Sequence, residues 1–202
     1  MALTAQSITS SSVFKVAVGP NHREHSIHSS LLASQSHVLH SLVNNGMQES
    51  LQSFVSWPHV AEHTFKNFTE FAYTGNFKII QPRDKEPSDG NEETEKTTDD
   101  ESEDEKPEGA ASTAWLTQYA EIMVFADYYA VDDLLVLAHS KLERVFSAIP
   151  SDRKKSASSA ALQAVPEFCR YCYSHDVPGL LQDLIYTLLQ KHAAVLWENE
   201  AF

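Results

Sequence analysis

The sequence predicts an α+β fold in which a small mixed sheet packs on a helical cluster and a helical extension follows at the C-terminus. Three observations carry this. Val13–Val18 is β-branched and aromatic, with Phe14, Val16 and Val18 on one face at period two and Val13, Lys15 and Ala17 on the other. Gly19-Pro20-Asn21 is a turn signal, and His25–His28 returns as a second strand that runs into a helix. Beyond residue 112 every apolar run has helical spacing. The predicted order is strand, strand, helix, helix, strand, helix, strand, then helices only.

The elements follow in chain order. Residues 1–12 are small and polar and read as a flexible lead-in. Val13–Ser36 reads as the packing nucleus, with Ser29 capping a helix that buries Leu31 and Leu32. Val38, Leu39, Leu42 and Val43 form the next helical stripe, stopped near Asn44-Asn45-Gly46. Ser53–Trp57 alternates as a strand closed by Pro58. Val60, Phe65, Phe68, Phe71 and Ala72 form a helical stripe that ends at Gly75, and Phe77–Ile80 reads as a fourth short strand. Residues 82–112 form an acidic insert without an apolar residue before Ala110, predicted to be a disordered loop. Helical spacing resumes with Leu116, Tyr119, Met123, Ala126 and Ala130. Asp132 is placed as the cap of a helix burying Leu135, Ala138, Leu142 and Val145. A linker at 148–160 precedes a helical extension over 161–202, read as helices at Pro166–Ser174 and Gly179–Trp197, the latter with Leu181, Leu184, Ile185, Leu188, His192 and Val195 inward.

Charge is distributed unevenly. Residues 84–108 hold 13 Asp/Glu and three Lys, a local charge of −10, which leaves only −3 of the chain's −13 for the remainder. The acidity belongs to the insert, not to the fold. The absence of a basic cluster argues against direct nucleic-acid binding. No apolar run reaches the roughly 18 residues that would span a membrane, and the N-terminal residues lack the pattern of a secretory signal. Two cysteines, Cys169 and Cys172, imply no disulfide framework and point to a reducing setting, the cytoplasm and/or nucleus.

An ordered series of residues resembles the BTB (POZ) domain family, in the form seen in small fungal proteins. It comprises Phe14–Gly19, Ile27–Ala33 with Ser36, Gly46–Ser50, Trp57-Pro58, Phe65–Phe68, Tyr73–Gly75 and Ala126–Tyr129. The resemblance places a BTB domain at 13–147, interrupted by the insert, and the helical tail after it. It implies no catalysis and no cofactor. It implies self-association, as a homodimer or with other BTB proteins, and in many members recruitment of a cullin-type ubiquitin ligase or a corepressor. Because the first strand contributes to the dimer surface of such domains, Val13, Lys15 and Ala17 become self-association candidates. Family members often carry a charge at each of the positions held here by Ser12 and Ser29, so a charged corepressor groove is not expected. Met47-Gln48-Glu49 fits the hydrophobic-x-Glu triplet of ligase adaptors, making Met47 and Glu49 cullin-contact candidates. A scaffold for transcription, acting through a DNA-bound partner, is the alternative.

Two constellations compete with a non-catalytic reading. His59-Val60-Ala61-Glu62-His63 matches H-x-x-E-H, whose metal chemistry needs both His on one helix face and a third ligand. Solvated side chains at a helix start are the simpler account. Cys169-Arg170-Tyr171-Cys172 is a single C-x-x-C, too few ligands for a structural zinc site and without a βαβ context for redox work. Both thiols are predicted to share a buried helix face with Phe168. In the insert, Thr98 and Ser102 precede acidic residues and are phosphorylation candidates that would deepen its charge toward a basic partner. No metal site is assigned.

Overall fold

β1 (Val13–Val18) lies between two partners in a three-stranded sheet of order β2-β1-β3. β2 (Arg23–His28) runs antiparallel to it, with Phe14 opposite Ile27 and Val18 opposite Arg23. β3 (Phe54–Trp57) runs parallel, with Val16 opposite Val55. A parallel pair needs a crossover, supplied here by three short helices: α2 (Ser29–Ser34), α3 (His37–Asn44) and α4 (Gln48–Gln52). This computed structural model describes residues 5–79, 114–149 and 160–196. The insert at 82–112, with Thr98 and Ser102, and most of the 148–160 linker lie outside the described residues.

Phe14, Val16, Val18 and Ile27 are buried on the face predicted for the core. They pack beneath α5 (Glu62–Thr74), which Gly75 ends in the left-handed conformation at φ 72°, its N–H returning to the Phe71 carbonyl. Ahead of β1, α1 (Ala5–Thr9) is ordered against α2. The Ser30 hydroxyl donates to Ser11 Oγ at 3.0 Å, and the Ser29 N–H donates to the Ser12 carbonyl at 2.8 Å. Residues 5–12 are therefore not the flexible lead-in that their polar composition predicts: their hydroxyls bond backbone and one another.

The centre of the molecule is α6 (Ala114–Tyr128), not the β-hairpin. Trp115, Leu116, Tyr119, Ala120, Ile122, Met123, Phe125 and Ala126 are all buried, so the helix is covered over most of its surface, with Gln118, Glu121 and Val124 half-buried. It packs on α5, on α7 (Asp132–Ser147) and on α8 (Ala160–Ser174). α9 (Gly179–Leu196) closes the tail against α7 and α8. One continuous apolar core joins the sheet, the middle helices and the tail. At its heart the Trp57 ring stands 4.5 Å from Tyr129, and Phe125 stands 4.9 Å from Phe68.

Several predicted details differ. Ser29 is not a cap: His28 holds that position without a side-chain bond, and it is Ser36 that caps the following helix, accepting from the Leu39 N–H. α4 is an unexpected single turn that ends in a left-handed Ser53. Residues 76–79 form no strand, because Phe77 is drawn into the core and the Lys141 ammonium donates to its carbonyl at 3.0 Å. Val131, not Asp132, occupies the cap position of α7, whose buried face is Leu134, Ala138, Leu142 and Phe146, turned from the predicted stripe. α8 begins six residues before Pro166, which the helix accommodates in its interior.

Candidate interaction site

Of the three self-association candidates, Val13 and Lys15 are exposed. Lys15 pairs with Glu24 across the hairpin at 3.4 Å, an exposed pair that contributes little. Ala17 is a correction. It is only 2% exposed, lying between Glu24 of β2 and Ser56 of β3, although Lys15 on the same face of β1 is exposed. Ser12 and Ser29, standing where charges were expected, lie with their hydroxyls 3.0 Å apart. An uncharged hydrogen bond thus links the residue before β1 to the start of α2. His28 has a structural part, its Nδ1 lying 2.6 Å from the Tyr73 hydroxyl of α5.

Met47 and Glu49 flank the start of α4 and are both exposed. Leu51, four residues after Met47 and missed in the sequence reading, is 79% exposed, and Met47 is 64% exposed. Two large apolar side chains one helical turn apart beside a carboxylate make a compact contact surface. Sequence periodicity could not flag Leu51, since α4 has no buried face to set a period.

The H-x-x-E-H match does not form a metal triad. His59 lies in the turn before α5, edge-on to the Tyr128 ring, while His63 is on the helix and hydrogen-bonds Glu121 of α6. Glu62 is engaged by Lys66 at 2.8 Å and by Arg23, which together hold its carboxyl below the ordinary value against a smaller opposing cost of burial. Among the described residues no group of three or more metal-ligating side chains assembles. Cys169 and Cys172 share the buried face of α8 with Phe168. Burial pushes their thiols up, to about 11 and about 12, so neither carries the thiolate that redox or nucleophilic chemistry needs.

A cleft of about 400 Å³ opens where the start of α5, the last turns of α6 and the end of α8 meet. Phe125, Tyr128, Tyr129 and Tyr171 supply aromatic walls, with His59 and His175 at the sides. Tyr171 and His175 stack at 4.1 Å. Glu121 faces this space, its Oε2 accepting from Thr64 at 3.0 Å and shared with His63. Burial, and next the Glu121 carboxylate, push the Tyr171 hydroxyl well above the ordinary phenol range. No sequence motif announces the cleft, since its walls come from three separated segments.

The surfaces just described are an exposed apolar pair on α4 and an aromatic cleft beside α6. Residues 9–86 match the family model of the BTB/POZ domain, from the end of α1 into the start of the acidic stretch. The chain carries a BTB/POZ domain over that segment, a domain that supports a role in protein interaction. A comparison with curated proteins finds no match.

Proposed function

We propose that the chain is a non-catalytic adaptor that self-associates through its BTB domain and presents α4 to a cullin-type ligase scaffold, in the cytoplasm or nucleus. The observation that supports it most is the exposed Met47–Leu51 pair beside Glu49. An apolar pair of this kind costs hydration in the free protein and is covered when a partner binds. The domain would run on to about residue 147, since α6 and α7 share the core of the matched segment. Self-association would use the face around Val13 and Lys15 together with α1 and α2, and would rest on shape and apolar burial, because Ser12 and Ser29 carry no charge.

The test is a pull-down of the whole chain with a cullin N-terminal domain. The native chain should be retained, and Met47→Asp/Leu51→Asp should lose at least tenfold in binding with an unchanged melting temperature, each truncated anchor being worth about 1–2 kcal/mol. Equal retention of both proteins, or of neither, contradicts the cullin part of the reading.

A further inference from the structure

We propose that the cleft between α5, α6 and α8 is a recognition pocket for an arginine side chain on a partner peptide. Four features converge on that occupant. Its volume, about 400 Å³, falls in the range of ordinary ligand pockets. Its walls are aromatic rings, whose negative faces attract cations. Glu121, from the central helix, brings a carboxylate to it with only Oε2 used by described residues; Oε1 accepts no hydrogen bond from them. The ends of α6 and α8, which carry partial negative charge, border the space.

The chemistry separates arginine from its competitors. The start of α5 would attract an anion, but Glu121 already serves that turn through Thr64 and His63, and a second carboxylate or phosphate would meet Glu121 with like charge. A lysine ammonium is compact and strongly hydrated and gives up more water on entering an aromatic space. A quaternary ammonium has no proton to donate and would leave Oε1 unmet. A guanidinium is weakly hydrated, stacks flat on a ring and donates in its plane to a carboxylate oxygen.

The pocket joins the BTB helices to the tail, since Tyr171 and His175 belong to the end of α8 and the turn after it. It lies away from Met47 and Leu51 in sequence and element, and its occupancy stands independently of any cullin. It gives the chain a way to hold a peptide without a separate substrate domain.

The experiment titrates acetyl-Gly-Arg-Gly-amide into the isotope-labelled whole chain and follows amide shifts by NMR. The expected result is saturable shifts confined to the segments around His59–Thr64, Glu121–Tyr129 and Tyr171–His175. The citrulline peptide, uncharged but of the same shape, should bind about tenfold more weakly, and the lysine peptide should fall between. Glu121→Gln should weaken the arginine peptide at least about fivefold. Tyr128→Leu should weaken it too, with the melting temperature unchanged, because Tyr128 is 69% exposed. Absence of saturable shifts, equal binding of arginine and citrulline peptides, or native affinity in both variants would overturn the proposal.

Discussion

Ser36 shows how one atom can serve two elements. Its hydroxyl oxygen accepts from the Leu39 N–H at 3.1 Å, capping α3, and its proton goes to the Tyr129 carbonyl at 2.6 Å, tying α3 to the end of α6. Ser36→Ala removes both bonds and should cost about 2 kcal/mol, read as a lower urea midpoint with unchanged slope. Ala130 makes the opposite point. It ends α6 at φ 52°, with the Val131 N–H closing on the Ala126 carbonyl at 2.7 Å, in a conformation that a Cβ disfavours. Ala130→Gly should therefore stabilise the chain by about 0.5–1 kcal/mol, an increase that the same urea titration would detect. Lys141 stands over the Phe77 ring at 5.0 Å while donating to the Phe77 carbonyl. That tether explains why an apolar run with strand character lies as an irregular, buried segment. Neither Ser36's second bond nor the Lys141 tether was legible in the sequence, because each partner is at least 64 residues away.

Elements were legible where their own side chains set their period. The strand at Val13–Val18, its alternation up to Val16, the stripe of α5 with its glycine stop, and the length of α9 emerge as read. α6 was placed correctly, but its role was not: one stripe was expected to be buried, and the buried positions spread over most of the helix, leaving Gln118, Glu121 and Val124 half-buried and Asp127 and Tyr128 exposed. A helix buried over most of its surface offers little contrast for a periodicity argument to use. α4 failed for the opposite reason, having no buried face. The tail carries its own chemistry. His192 on α9 is 3% exposed, with Nε2 unpaired among the described residues, and burial followed by the neighbouring Lys191 lowers its affinity for a proton below the ordinary value of 6.5. In the unfolded chain His192 takes up a proton near pH 6.5; in the fold it does so only at lower pH. Its stabilisation is thus complete above pH 6.5 and is lost as the pH falls below that value toward the folded pKa. The protection of α9 amides, taken relative to the intrinsic exchange rate at each pH, should fall between pH 7.5 and pH 5.5, and His192→Leu should flatten that dependence. Protection that does not change with pH in the native chain would refute the assignment.

At the scale of the whole molecule, a single core runs from the sheet through α6 into the tail, so the helical extension is part of the body that holds the BTB domain. The 25-residue acidic stretch is spliced between α5 and α6, two helices that pack on each other, so the fold closes across it. The BTB/POZ match of residues 9–86 was legible from an ordered series of short resemblances. The candidate surfaces were only partly so. Met47 and Glu49 were read from a triplet, Leu51 and the aromatic cleft needed coordinates, and Ala17 is buried although alternation puts it on the same face as the exposed Val13 and Lys15. The central claim is that this domain works by associating with a copy of itself. It is tested most directly by light scattering of the native chain during gel filtration, beside Val13→Asp. The native chain should have twice the mass of 22.6 kDa, and Val13→Asp, at an exposed position that does not build the core, should shift toward the monomer without a change in melting temperature. A native chain that is strictly monomeric at every concentration tested would contradict the claim.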